Sequence, residues 1–209
     1  MIARVQNPFP QNLILSSKLG LVSVPAAGES VTESIRNAPG FDRDEARVLL
    51  QALGRNLGMT LLEPKEDVFP EEGSAQEATA AFPDEAIRKT LEALDVVWLK
   101  GNEVVAVFAV ETGVGAWEGV RRVADLLALH PKSKAALYVV SQPAFKAGML
   151  TEISRPVYRL LKKPLGESVR LLDWTRLESE VGELGERVRY LKPEFLEGIS
   201  EVVEPPAGE

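Results

Sequence analysis

The clearest hydrophobic pattern in the chain lies after residue 83. Asp84 can cap a helix, and apolar residues recur at helical spacing from there to residue 94. Two segments of strand character follow, Asp95 with the apolar residues 96–99 and then the apolar run 104–110, and the turn-forming residues 100–103 separate them. An uninterrupted apolar run of this length is typical of a strand that is buried on both faces. The pattern therefore predicts a helix followed by a β-hairpin.

The rest of the chain continues to alternate between helical and strand patterns. The pattern predicts a helix over 120–130, a strand at 135–140, a helix around 145–155, a strand at 168–172, a helix from Thr175 and a helical, acidic tail. Helices that alternate with strands in this order predict an α/β fold, in which helices flank a mixed central sheet.

The first part of the chain has weaker signals. Short strands are expected near residues 13–15 and 19–24, a helix over 42–57 and a strand at 59–62. The following stretch is acidic and rich in Pro, Gly, Ser and Ala, which is typical of a linker. We therefore divide the chain into an N-terminal region partly joined to the core, an acidic linker and a core, over residues 1–62, 63–81 and 82–209.

The composition excludes several kinds of chemistry. The chain has no cysteine and a single histidine, His130, so disulfides, thiolate metal sites and cysteine nucleophiles are excluded. Any metal site must use oxygen ligands. The longest apolar run is far shorter than the roughly 20 residues that cross a bilayer, and the first residues lack the pattern of a secretory signal. We expect a cytoplasmic protein with no membrane partner.

Charge is unevenly distributed along the chain. The net charge is −7, but the acidic excess is concentrated between residues 63 and 85. Between residues 118 and 176, 11 bases face 5 acids. A locally positive surface can meet the phosphates of a nucleic acid although the whole protein is acidic. A normally solvated, helix-rich surface explains the same bases equally well.

Two carboxylates flank the predicted hairpin. Asp95 opens its first strand and Glu111 closes its second, so antiparallel pairing should bring both side chains to one edge of the sheet. Oxygen ligands of this kind suit Mg²⁺. The alternative is that Asp95 caps the end of the preceding helix region and that Glu111 faces solvent where the strand ends.

Several segments resemble those of the restriction-endonuclease-like superfamily, also called PD-(D/E)xK. They are residues 95–99, 105–111, 118–128, 137–141, 155–158 and 190–197. More narrowly, they are similar to a bacterial group in which the second catalytic strand ends in Glu-x-Glu. The resemblance implies a restriction-endonuclease-like core, which in this chain carries a small N-terminal extension. It also implies divalent-metal-dependent hydrolysis of DNA.

The resemblance implies metal-binding acids at only two of the three family positions. The family's first acid falls on Asp95 and its last on Glu111, whereas the middle acid falls on Ala109, which offers no oxygen. Mg²⁺ or Mn²⁺ would then bind weakly or not at all, and hydrolysis would be impaired or absent. Glu85, on the preceding helix, could lend a substitute carboxylate, but a Glu in a first helical turn is more often simply exposed.

Three further residues are candidates for contacting the substrate. Arg121 and Arg122 begin the helix that follows the predicted site, where their guanidinium groups could fork onto phosphate oxygens. Gln142 follows the next strand and could also face the site. A solvated helix face and a loop-stabilising amide are the alternative explanations.

Two hypotheses therefore stand side by side. The chain is either a metal-dependent deoxyribonuclease or a noncatalytic module of the same fold that binds DNA or another protein. DNA is the partner that the resemblance implies. A homodimer would suit cleavage of both strands, although this expectation follows from family analogy alone.

Overall fold

The computed structural model describes most of the chain after residue 40 and a short hairpin before it. The described residues are 12–17, 20–25, 41–62, 84–113 and 117–203. The linker predicted over residues 63–81 therefore lies outside them. The chain divides into two compact units, Met1–Gly40 and Phe41–Glu209. In the first unit, β1 (Asn12–Ser17) pairs antiparallel with β2 (Gly20–Pro25), which confirms the two short strands predicted there.

The second unit contains six strands and eight α-helices among its described residues. The strands are β3 (Thr60–Leu61), β4 (Val96–Lys100), β5 (Glu103–Glu111), β6 (Ala136–Ser141), β7 (Val169–Asp173) and β8 (Ser200–Val202). The helices are α1 (Arg43–Asn56), α2 (Glu85–Glu92), α3 (Glu118–Leu129), α4 (Lys146–Ile153), α5 (Pro156–Arg159), α6 (Leu165–Ser168), α7 (Trp174–Leu184) and α8 (Phe195–Ile199). Single 3₁₀ segments, Pro143–Phe145 and Gly185–Tyr190, precede α4 and follow α7.

The six strands form one mixed sheet in the order β3-β4-β5-β6-β7-β8. β5, β6 and β7 are parallel to one another, while β4 and β8 run antiparallel to their neighbours. This arrangement confirms the predicted α/β fold with helices flanking a mixed sheet. The tail predicted to be helical contains α7 and α8 and, in addition, the edge strand β8, which was not predicted. None of the helices in the described residues is long and apolar enough to span a membrane.

Helix α1 packs on one face of the sheet through a stripe of apolar residues. Ala46, Leu50 and Leu53 recur at helical spacing and are fully buried in the core of the second unit. The indole N–H of Trp98 on β4 donates to the Leu50 carbonyl at 3.1 Å, which fixes the helix against the strand. Asp42 accepts from the amide of Asp44 and caps the helix start. This docking places the first turn of α1 beside the start of β4.

One edge of the sheet collects the ends of several strands. Because β5, β6 and β7 are parallel, their last residues Glu111, Ser141 and Asp173 lie in register at this edge. Antiparallel pairing brings the start of β4 to the same edge, where the amide of Asp95 donates to the Phe108 carbonyl. The edge where parallel strands end is where α/β proteins commonly place their binding sites.

Candidate functional site

Asp95 is buried directly before β4, and both oxygens of its carboxylate accept hydrogen bonds. The guanidinium of Arg43 donates to both carboxylate oxygens, through Nε to Oδ1 at 2.7 Å and through Nη2 to Oδ2 at 3.1 Å. The amide of Val110 also donates to Oδ2, at 2.8 Å. The Asp95 side chain is 6% exposed and that of Arg43 is 40% exposed. A two-point fork of this kind is the strongest geometry available to an arginine–carboxylate pair.

Glu111 caps a helix that has no cap of its own. The residue before α3 is Trp117, in the left-handed region at φ 40°, and its side chain makes no capping hydrogen bond. Instead, the amides of Gly119 and Val120 donate to Glu111 Oε1, at 2.7 and 3.3 Å. These are the second and third amides of the helix, which an N-cap side chain normally binds. The carboxylate of Glu111 therefore lies at the positive end of the α3 dipole.

Asp95, Glu111 and Arg43 form one electrostatic cluster. Burial raises the pKa of Glu111, whereas its backbone hydrogen bonds and the charge of Arg43 lower it, and the negative charge of Asp95 raises it further. The hydrogen bond from Arg43 to Asp95 raises the pKa of the arginine, and Glu111 contributes in the same direction. The predicted alternative, in which Glu111 faces solvent and Asp95 caps a helix, was wrong, because Glu111 is 8% exposed and Asp95 accepts from Arg43 and Val110.

Ala109 lies directly beneath the start of α3. A Cβ built on Gly119 would come within 2.7 Å of the Ala109 Cβ and 3.0 Å of Glu111 Oε1. The backbone of α3 therefore approaches β5 this closely only because residue 119 is a glycine. Ala109 itself is fully buried. The position that corresponds to the middle acid of the resembled family is thus occupied by a methyl group and covered by a helix.

The residues at this edge, as they are arranged here, do not fit a divalent cation. Both oxygens of Asp95 and one oxygen of Glu111 accept hydrogen bonds from the protein itself, and position 109 supplies no oxygen. Among the described residues, no three Asp, Glu, His or Cys side chains come together as a metal-binding group. The guanidinium of Arg43 instead donates to both oxygens that Asp95 would offer to a metal.

The structure does not bring Glu85 into this cluster. Glu85 is exposed in the first turn of α2 and pairs with Lys89 at 2.7 Å, which lowers the pKa of the glutamate. Asp95 lies beyond the other end of that helix, and a helix of eight residues is about 12 Å long. Glu85 therefore matches the simpler expectation of an exposed first-turn residue.

The predicted substrate-contacting residues fall into two groups. Arg122 is engaged inside the protein, since its guanidinium donates to the Ala93 carbonyl at 2.7 Å and to Glu118 at 2.8 Å. Arg121 is half-exposed. Gln142 is partly buried and lines a small cavity of about 140 Å³ at the carboxyl ends of β6 and β7. Of these residues, only Arg121 keeps much of its side chain in solvent beside the start of α3.

The comparison with known families agrees with this architecture. Residues 70–203 match the family described as the type II restriction enzyme NmeDI C-terminal domain, and the match covers more than half of the chain. The chain belongs to this family. No curated protein and no solved structure matches it. Membership in a restriction-enzyme family indicates a nuclease-related or DNA-binding role for the chain.

Two features of the site in this NmeDI-related chain were not predicted from the sequence. Arg43 is separated from Asp95 by 52 positions, so no local spacing connects them. The capping role of Glu111 had one visible signal, because no Ser, Thr, Asp or Asn directly precedes the helix predicted near Val120. A helix start without a capping side chain needs acceptors from elsewhere in the fold.

Proposed function

We propose that this chain is a restriction-enzyme-type domain that binds duplex DNA and whose hydrolytic centre is incomplete. The observation that carries the proposal is the state of the carboxylate edge. Arg43 forks onto Asp95, while Ala109 stands at the position of the middle acid. The further assignment to the PD-(D/E)xK group, with Ala-x-Glu in place of Glu-x-Glu, belongs to the same proposal.

The expected loss of hydrolysis follows from the charges at the edge. Type II restriction enzymes generally use Mg²⁺. A metal that polarises the phosphate and activates water contributes several kcal/mol, and about 4 kcal/mol corresponds to a thousandfold in rate. A guanidinium can neutralise Asp95 but cannot lower the pKa of a bound water. A domain with this edge is suited to binding DNA rather than to cutting it.

A second candidate function is slow, metal-dependent hydrolysis of DNA. It would use Asp95 and Glu111 as ligands of Mg²⁺ or Mn²⁺. The position of both acids favours it, because they are buried at one sheet edge and close enough for the charge of Asp95 to raise the pKa of Glu111. A role in binding another protein, and assembly as a homodimer for two-strand cleavage, are further proposals that rest on family analogy.

The decisive experiment combines DNA binding with plasmid cleavage. Binding of a labelled duplex is measured in EDTA, and nicking of supercoiled plasmid is measured in Mg²⁺ and in Mn²⁺. We expect the wild-type chain to bind and not to nick. Wild-type nicking that Asp95→Ala abolishes would replace the proposal by the second candidate. A wild-type chain that neither binds nor nicks would refute both functions.

Two variants test whether the edge is an impaired hydrolytic centre. Ala109→Glu restores the middle acid, and Ala109→Asp is a smaller alternative in case the close approach of Gly119 prevents folding. Each acid variant is also made together with Arg43→Met. The matched control combines the acid variant with Arg55→Met, which removes an arginine at the far end of the same helix. We expect nicking only in a folded variant that carries both the acid and Arg43→Met. Nicking by the acid variant with Arg43 intact would show that the guanidinium does not block the site.

A further inference from the structure

A group of exposed basic side chains lies beside the carboxylate edge, and we call it the basic surface. It consists of Arg121 on α3 together with Arg155, Arg159, Lys162 and Lys163 in and around α5. Arg121 and Arg155 are 51% and 50% exposed, and the other three residues are also exposed. Arg121 directly follows Val120, whose amide binds Glu111. The basic surface therefore begins next to the candidate site.

A single buried carboxylate holds two arginines of the basic surface in place. Glu152 on α4 is 9% exposed, and its Oε1 accepts from Arg155 Nη1 at 2.9 Å and from the Tyr158 hydroxyl at 3.2 Å. The Nε atom of Arg121 lies 3.7 Å from the same oxygen. The hydrogen bond to Glu152 raises the pKa of Arg155. Because one carboxylate serves two guanidinium groups, the cluster keeps a net positive charge.

The segment around α5 carries positive charge and no acid of its own. Residues 153–166 contain four bases and no acid, in a chain whose net charge is −7. Leu160, in the middle of these bases, is 86% exposed. Concentrated positive charge around an exposed apolar side chain is suited to a phosphate-lined groove, which offers both anionic oxygens and apolar sugar faces.

Other arginines of the locally basic third of the chain serve the fold instead. Arg122, Arg170 and Arg176 each donate to a backbone carbonyl of a neighbouring segment. Lys146 pairs with Glu201. The structure therefore separates these bases into those that hold segments together and those that present their charge to solvent. The basic surface belongs to the second set.

We infer that the basic surface binds the phosphate backbone of duplex DNA, with Arg121 and Arg155 as pre-positioned anchors and Arg159, Lys162 and Lys163 as further contacts. This inference rests on the proposed DNA-binding function and names the surface that carries it. Guanidinium groups suit this task because they can fork onto phosphate oxygens. Binding of this kind is independent of sequence and falls steeply with salt.

The test compares two triple variants that remove the same charge from different places. The first is Arg159→Ala with Lys162→Ala and Lys163→Ala. The matched control is Arg55→Ala with Lys100→Ala and Lys192→Ala, three exposed bases outside the basic surface. Affinity for a labelled duplex of about 30 base pairs is measured by anisotropy in EDTA between 50 and 200 mM salt. Urea unfolding checks that both variants are folded.

The expected effect follows from counterion release. Each phosphate contact contributes about 0.9 to the slope of log affinity against log salt, so three lost contacts should lower the slope by about 2.7. Over a fourfold change in salt, wild-type affinity should therefore fall about 40-fold more than that of the first variant. The control should keep the wild-type slope.

Three outcomes would overturn the inference, and they separate it from the proposed function. If the first variant keeps the wild-type slope while the wild type binds DNA, the basic surface is not the DNA-binding surface, and the proposed DNA-binding function stands. If both triple variants lose slope equally, only the total charge matters and no surface is assigned. If the wild type binds vesicles of phosphatidylserine but no DNA at 50 mM salt, the proposed function fails together with the surface.

Discussion

Replacing Gly119 by alanine tests how closely α3 covers position 109. The added methyl would lie 2.7 Å from the Ala109 Cβ, about 1 Å inside ordinary carbon–carbon contact. Overpacking of a buried site costs about 1–3 kcal/mol, and the better helix propensity of alanine returns at most about 1 kcal/mol. We therefore expect Gly119→Ala to lower the free energy of unfolding by about 1–2 kcal/mol.

Urea unfolding with a double-mutant cycle measures this effect. With a slope of about 2 kcal/mol per M, the midpoint should fall by about 0.5–1 M urea. Ala109→Gly removes the nearest contact and leaves the one with Glu111 Oε1 at 3.0 Å. Gly119→Ala should therefore cost less stability in the Ala109→Gly background than in the wild type, with a coupling of about 1 kcal/mol. Gly182→Ala in α7 is the matched control, because its Cβ would meet nothing within 4 Å. Additive effects of the two changes would refute the proposed packing of α3 on β5.

Two further predictions concern the carboxylates. Asp95→Ala should lower the free energy of unfolding by about 2–4 kcal/mol. It leaves the buried Val110 amide without an acceptor and removes the ion pair with Arg43, which is partly exposed to solvent. Asp95→Asn should cost clearly less, since it keeps an acceptor; equal losses in urea unfolding would contradict this account. Burial raises the pKa of Glu111 in the folded protein above its ordinary value of 4.5. The protonated side chain therefore contributes its full stability below pH 4.5, and this contribution is lost as the pH rises through the pKa of Glu111 in the folded state. The stability of the wild type relative to Glu111→Gln should therefore fall with rising pH, and a constant or increasing difference would contradict the assigned environment.

The fold was predictable where strong periodicity coincided with good turn and capping residues. The helix capped by Asp84 and the hairpin around residues 100–103 are local features, and the structure confirms both. β8 was missed because it has only three residues and lies in an acidic stretch. Its strand character comes from pairing with β7, which the sequence of the tail does not encode by itself.

The candidate site was predictable only to the extent that the hairpin fixed it. Antiparallel pairing sufficed to bring Asp95 and Glu111 to one edge, and their charges influence each other as that expectation requires. Their partners depend on how α1 and α3 pack on the sheet, and this packing is a property of the whole fold. Arg43 and the amides of Gly119 and Val120 were therefore beyond the reach of local patterns.

The missing acid at position 109 and the arginine at Asp95 belong to one electrostatic arrangement. Two buried carboxylates at one edge need positive charge, and a divalent ion would supply it to both. Here the guanidinium of Arg43 neutralises Asp95, while the N-terminus of α3 supplies partial positive charge to Glu111. A third carboxylate at Ala109 would add a negative charge that these donors do not balance. Ala109→Glu should therefore be destabilised in EDTA, and Mg²⁺ should restore its stability more fully once Arg43 is also replaced.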